Sequence, residues 1–210
     1  MNIAILGASA GVGLECVKLA LRRGHKVITL SRSTDSLPQH PNLHSIQGNA
    51  TNVADLKKAL GAAEAVIVAL GTGSSTKATT LYTDAAAALL QAQQELQNDI
   101  PFIVLTGFGA GHSAHHHGWL MKLFFRFVLK DIYQNKTAME EMITRSNLKW
   151  EVVRPGVLTN KPLSEKYRVE TEYYDGMKIG RIARSDVAHF LVREAENPTA
   201  LGLYPALSNK

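Results

Sequence analysis

NIAILGASAGVGLECVKLALRRG, residues 2–24, decides the fold. An apolar, strand-forming run, NIAIL, meets glycines at 7, 11 and 13, and the chain then turns into the helical pattern LECVKLALRRG. Glycine allows a tight turn and lets the backbone approach a ligand that a side chain would exclude. The helix that follows aims free N–H groups at whatever occupies the turn, which suits a phosphate. A glycine-rich turn is weak evidence by itself. At the first strand-to-helix junction of a βαβ unit it predicts a dinucleotide site.

The second strand, KVITL (26–30), ends in LSRS (30–33). Sites for NAD usually place an acid there to grip the ribose 2′-hydroxyl, whereas an arginine suits a 2′-phosphate. Arg32 stands at that position beside Ser31 and Ser33, and no acid follows until Asp35, so NADP (as NADPH) is the predicted cofactor. Further along, strands LHSIQ (43–47), AVIVAL (65–70), PFIVLT (101–106) and KWEVV (149–153) alternate with helices. One is capped by Asn52 and runs to Leu60, one spans about 78–97, and one ends near Ser146. Continuous apolar strands in a β-α rhythm imply a parallel sheet covered on both faces. Past Pro155 the pattern predicts a strand YRVET (167–171), a helix over 186–196 capped by Ser185 or Asp186, and a last strand LGLYPA (201–206). The reading is α/β: a Rossmann-like, doubly wound parallel sheet. Residues 1–210 form one domain, with about 155–185 a small C-terminal appendage on the substrate side.

Composition limits the function. The 210 residues are 45% hydrophobic and 20% charged, with a net charge of +5 spread along the chain, which favours small anionic ligands over nucleic acid. The single cysteine, Cys16, excludes an internal disulfide and fits a reducing, cytoplasmic setting. The start lacks the pattern of a signal peptide, and Lys122 and Arg126 interrupt LMKLFFRFVLK, so no membrane insertion is expected. A small-molecule partner is expected, in a monomer or a homodimer. Cys16, Trp150, Met139, Met142 and Ile143 read as core, Asp186 as a helix cap, and His189 as surface or helix packing.

In order and at matching spacing, further motifs carry a family resemblance. They are GASAGVG (7–13), Ser31-Arg32, Gly48-Asn49-Ala50, Leu70-Gly71-Thr72, Thr106-Gly107-Phe108, Val153-Arg154-Pro155-Gly156 and IARSDVA (182–188). Together the chain resembles the NmrA-like, NAD(P)-binding branch of the atypical short-chain dehydrogenase/reductase superfamily, and within it the flavin reductase/biliverdin-IXβ reductase group. The resemblance implies cofactor contacts at Gly7, Ser9, Ala10, Gly11, Val12 and Gly13. It extends them to Ser31, Arg32 and Ser33, to Asn49 and Ala50, and to Leu70, Gly71 and Thr72. Thr106, Gly107, Lys136 and Pro155 complete the set. Three positions depart from the pattern. Ala10 replaces a glycine, Asn49 replaces the usual aspartate while keeping hydrogen-bonding capacity, and Gly107 stands where many relatives carry serine.

Better-known members of the superfamily use a tyrosine four residues before a lysine on the helix after strand 5. Here Ile132 precedes Lys136 by four, and Tyr133 by three, so Tyr133 and Lys136 form the candidate catalytic pair at a spacing that still shares a helix face. Between strand 5 and that helix lies HSAHHHGWLMKLFF (112–125). Consecutive histidines diverge in an extended segment, and no cysteine or acid accompanies them, so no metal site is expected. The stretch reads instead as a partly exposed rim, with Phe108, His112 and Trp119 the residues expected to touch an acceptor. Without an intact tyrosine-lysine spacing, hydride transfer to a flavin, a quinone or a similar conjugated acceptor asks least of the protein. The alternatives are an NADP(H)-sensing regulator without turnover and an epimerase or reductase of the extended superfamily, which usually needs a larger substrate region.

Overall fold

The computed structural model describes residues 1–73, 78–111, 113, 130–174, 177 and 179–209. β1 (Asn2–Leu6) is the central strand. Ile3 and Ile5 face one layer of helices while Ala4 and Leu6 face the other, which is why its apolar run is continuous rather than alternating. β2 (Lys26–Ser31) and β3 (Leu43–Gln47) extend the sheet on one side; β4 (Ala65–Val68), β5 (Pro101–Leu105) and β6 (Lys149–Pro155) extend it on the other. These six strands are parallel in the order β3-β2-β1-β4-β5-β6. β10 (Ala206–Asn209) joins β6 in parallel, and β8 (Tyr167–Glu170) closes the edge antiparallel to β10. A separate two-stranded pair, β7 (Val157–Thr159) and β9 (Arg181–Ala183), forms the small appendage. The architecture is thus a single α/β domain of Rossmann type.

α1 (Gly11–Arg22) and α5 (Arg184–Glu196) cover one face of the sheet. α2 (Val53–Leu60), α3 (Leu81–Leu96) and α4 (Lys130–Thr144) cover the other. Cys16 is fully buried on α1, and Met139 and Ile143 are core on α4, with Trp150 half-buried against Tyr204. α2 begins as its sequence predicts, with the Asn52 side chain accepting the Asp55 N–H at 3.1 Å. α3 begins three residues later than expected. Thr80 makes no side-chain cap, and Asn135 of α4 instead accepts the Tyr82 N–H at 2.9 Å. A cap from 53 residues away carries no local signature.

Three expectations for the last third of the chain need correction. The final strand is Ala206–Asn209 rather than 201–206, because Leu201 to Pro205 form the turn that delivers it to β6. α5 starts at Arg184, with Ala183 at the N-cap and no side-chain cap. Asp186 therefore sits inside the first turn, where its carboxylate accepts the backbone N–H groups of Ser164 and Glu165 and the Ser164 hydroxyl. Of the two readings of His189, surface or helix packing, the second holds: it is buried on α5, its Nδ1 lying 2.8 Å from the Tyr167 hydroxyl.

Candidate functional site

The strand order reverses between β1 and β4, and ligands of open α/β sheets bind at the carboxyl ends of the strands beside such a reversal. A cleft of about 920 Å³ lies there. At its floor, Gly7 has φ +84°, and a Cβ on it would stand 2.6 Å from the Ala69 carbonyl oxygen. Gly13 is closer still: its Cβ would lie 2.2 Å from the Gly7 carbonyl oxygen, so α1 can meet the end of β1 only through a glycine. Gly13 thus packs beneath the turn, while Ser9, Ala10, Gly11 and Val12 line the cleft with Gly7. The N-cap of α1 is Ala10, which offers no acceptor to the first-turn N–H groups, in contrast to Asn52 on α2. An anion in the cleft would satisfy them.

The end of β2 is tied to the turn. The Ser31 hydroxyl accepts the Ala8 N–H at 2.9 Å, and Ser31 and Arg32 both line the cleft. Ser33 does not line it; its hydroxyl donates to the Asp35 carboxylate at 3.0 Å and helps shape the following loop. Asn49 and Ala50 form one wall, with the Asn49 side chain accepting the Thr51 N–H at 3.1 Å. Leu70, Gly71 and Thr72 follow β4, and Thr106 and Pro155 follow β5 and end β6.

The opposite end of the cleft is made of side chains. Lys136 reaches it from α4, and its ammonium donates to the Thr106 carbonyl at 2.9 Å. The surrounding protein pushes the Lys136 pKa down to about 8 by desolvation, partly offset by the Glu140 carboxylate. The ammonium lies 5.3 Å from the centre of the Tyr82 ring and 5.4 Å from that of Tyr133. Tyr82 lines the cleft and Tyr133 does not. The Tyr133 hydroxyl packs against Gly107, where a Cβ would stand 3.0 Å from it. Burial, with a smaller contribution from Tyr82, pushes the Tyr133 pKa up to about 12. Burial also raises that of Tyr82, against hydrogen bonding with Thr72.

Behind Lys136 lies a charged network. The Thr106 hydroxyl donates to Glu140 Oε1 at 2.6 Å, and Arg154 donates to the same carboxylate through Nε at 3.2 Å and Nη2 at 2.6 Å. Arg154 and Glu140 are 1% and 3% exposed, so each charge depends on the other. Burial alone would lower the Arg154 pKa, but Glu140, and then Tyr173, hold it above its ordinary value. The guanidinium also stacks 4.3 Å from the centre of the Tyr204 ring. Phe108 is buried beside this network, 5.8 Å from Tyr173, and does not line the cleft. His112 and Trp119, like the run His115–His117, lie outside the described residues. Among the described residues no cluster of histidine, cysteine, aspartate or glutamate could hold a metal ion, and no helix is long and apolar enough to cross a membrane.

Residues 7–198 match the protein family described as NAD(P)H-binding. The chain belongs to this family. The glycine turn, the uncapped α1 terminus and the cleft above them fit its ligand, since each supplies backbone N–H groups or space that a side chain would otherwise fill. The fold is shared with a short-chain dehydrogenase/reductase of Veillonella parvula in complex with NADP (17% identity, 99% of this chain and 94% of that one, TM-score 0.83). It is shared too with an anaerobilin reductase of Escherichia coli O157:H7 (20%, 100% and 97%, TM-score 0.82). A proposed NADH-flavin reductase of Streptococcus pneumoniae is also similar (21%, 100% and 100%, TM-score 0.81). A 3-beta-hydroxysteroid dehydrogenase of Mycolicibacterium neoaurum is 33% identical over 65 residues, which span 31% of this chain and 18% of that protein.

Sequence reasoning missed the residues that reach the cleft from elsewhere in the chain. Tyr82 opens α3, Arg22 ends α1, Arg184 begins α5, and Lys161 lies just beyond β7. Among the described residues lining the cleft, Arg22, Arg32, Lys136, Lys161 and Arg184 face a single acid, Glu15. Arg32 and Lys136 are legible in the sequence; for Arg22, Lys161 and Arg184 the signal is the chain's excess of basic residues, which gives no addresses.

Proposed function

We propose that this protein is an NADPH-dependent reductase that delivers hydride to a small conjugated acceptor of the flavin or quinone type. The observation that carries this reading is the division of the cleft: an arginine, Arg32, stands at the end of β2, and Tyr133 packs behind Gly107 instead of facing the cavity. A carbonyl substrate needs a proton donor beside the carbon that accepts hydride, whereas a conjugated ring mainly needs stacking and exclusion of water. When bound, the reduced nicotinamide supplies the hydride. The chain's part is to hold it: the α1 N-terminus takes the diphosphate, Arg32 the 2′-phosphate, and Lys136 orients the ribose and carboxamide end. Tyr133 supports the lysine from behind, and Tyr82 borders the acceptor's place. That similar folds include an NADP complex, an anaerobilin reductase and a proposed flavin reductase is consistent with this assignment.

The position of Tyr133 and the missing hydroxyl at Gly107 also favour a second reading, an NADP(H) sensor without turnover. Steady-state oxidation of NADPH, followed by absorbance against FMN, riboflavin and small quinones, separates the two. The reductase reading expects turnover with at least one acceptor. Tight NADPH binding with no turnover across the panel would establish the sensor instead. Equal affinity for NADPH and NADH would remove the 2′-phosphate role of Arg32.

A further inference from the structure

Three consecutive residues at the start of α5 fasten the segment 160–165 across the mouth of the cleft. Arg184 Nη1 donates to Asn160 Oδ1 at 2.7 Å, and the Ser185 hydroxyl donates to the Lys161 carbonyl at 3.1 Å. Asp186, 1% exposed, accepts the Ser164 and Glu165 N–H groups at 2.8 and 2.9 Å and the Ser164 hydroxyl at 2.9 Å. The strap so held presents Asn160, Lys161, Pro162 and Leu163 to the cavity.

From this anchorage the Arg184 side chain crosses towards the glycine turn. Its Nε lies 3.9 Å from the position of a Cβ on Gly11, the first residue of α1. A cation beside a helix N-terminus is placed against the dipole, which is unfavourable unless an anion lies between them. Here Arg184 is itself the first residue of α5, its guanidinium also hangs over the uncapped end of α1, and the partner that accepts from it is the neutral Asn160 amide. Two positive helix ends and a guanidinium converging on one space make electrostatic sense when an anion lies between them. The anion must be one that accepts a planar fork of N–H groups from one side and backbone N–H groups from the other, which is the chemistry of a diphosphate.

We infer that Arg184 is the second jaw of the diphosphate site: the glycine turn and α1 grip the group from below, and Arg184, held in place by Asn160 and the Asp186-fastened strap, grips it from above. The inference rests on the dinucleotide reading of the cleft. It assigns the two arginines different phosphates, Arg32 the 2′-phosphate and Arg184 the diphosphate.

Binding titrations with NADPH, NADH and adenosine 2′-monophosphate, which lacks the diphosphate, test the division. Arg184→Ala is expected to raise the Kd for NADPH and NADH alike by about tenfold or more, with the affinity for adenosine 2′-monophosphate unchanged. Arg32→Ala is expected to do the reverse, weakening NADPH and adenosine 2′-monophosphate and sparing NADH. Asn160→Ala keeps the guanidinium but releases it, and is expected to weaken both dinucleotides by about two- to threefold. Arg184→Lys, a point charge without the fork, falls between Arg184→Ala and wild type. Unchanged dinucleotide affinity in Arg184→Ala would overturn the assignment, as would equal losses for NADPH and adenosine 2′-monophosphate. If the wild-type protein binds neither dinucleotide, the reading of the cleft fails along with it.

Discussion

The two ends of the cleft are built from different materials. At the β1 end the contacts come from backbone, through glycines that bring α1 onto the strand and an α1 terminus that no side chain caps. At the β5–β6 end they come from side chains, with Lys136 held on the Thr106 carbonyl and Thr106, Glu140 and Arg154 linked behind it. A backbone site asks only that nothing intrude. A side-chain site in the interior asks that every buried charge find its partner, and its geometry fails as a unit when one is removed.

The largest expected effect breaks the backbone end. Gly13→Ala sets a Cβ against the Gly7 carbonyl oxygen, so the turn cannot keep its form. NADPH affinity should fall by more than about 100-fold, with a lower thermal midpoint; a wild-type Kd in a fluorescence titration would show that the turn has room to give. Next comes the side-chain end. Glu140→Gln leaves the buried Arg154 charge uncompensated and should cost about 3 kcal/mol of stability in urea unfolding. Glu140→Leu combined with Arg154→Met should recover most of that loss, since neither charge is then stranded. If the double variant is no better than the single one, shape rather than charge holds this end together.

Glu151 sharpens the contrast, because it lies on the same strand as Arg154 and faces the opposite layer. It is fully buried, and burial, with the neighbouring Glu194, pushes its pKa up to about 9. Since the folded value lies above the unfolded value of 4.5, its contribution to stability is full below pH 4.5 and is lost as the pH rises through 9. Glu151→Gln should flatten the stability profile between pH 5 and 9 and gain about 1–2 kcal/mol at pH 8. An unchanged profile in chemical denaturation would mean that Glu151 titrates normally. The smallest effect concerns Lys136. As the pH rises through about 8 its ammonium loses charge, so NADPH affinity should weaken by a few-fold on the alkaline side, and Lys136→Met should abolish that pH dependence. A pH-independent wild-type Kd between 7 and 9.5 would remove the lysine from cofactor binding.

The difference between the two ends also explains what the chain's letters reveal. The glycines at 7, 11 and 13 and the Asn52 cap are read directly, because the positive φ of Gly7 and Gly11, the approach of Gly13 to Gly7 and the Asn52–Asp55 bond are all local backbone needs. The central strands β1, β2, β4 and β5 are read almost as directly, because burial on both faces makes each a nearly unbroken apolar run. The cap on α3 is different, since it comes from Asn135, as is Asp186, which looks like a helix cap and instead fastens a strap 22 residues earlier. The last strand is hidden for a related reason: LGLYPA is apolar enough for a strand, and only the pairing with β6 and β8 sets its start at Ala206.

By itself, then, the sequence determined the doubly wound sheet and the glycine turn between β1 and α1. Both follow from local backbone needs and from the period of apolar residues. Only the tertiary structure decided that Tyr133 packs behind Gly107 while Tyr82 takes a place on the wall, that Glu140 pairs with Arg154, and that Arg184 crosses to Gly11. These are meetings between residues 14 to 173 positions apart, and a side chain's partner at that range is set by how the layers pack, which no local pattern encodes.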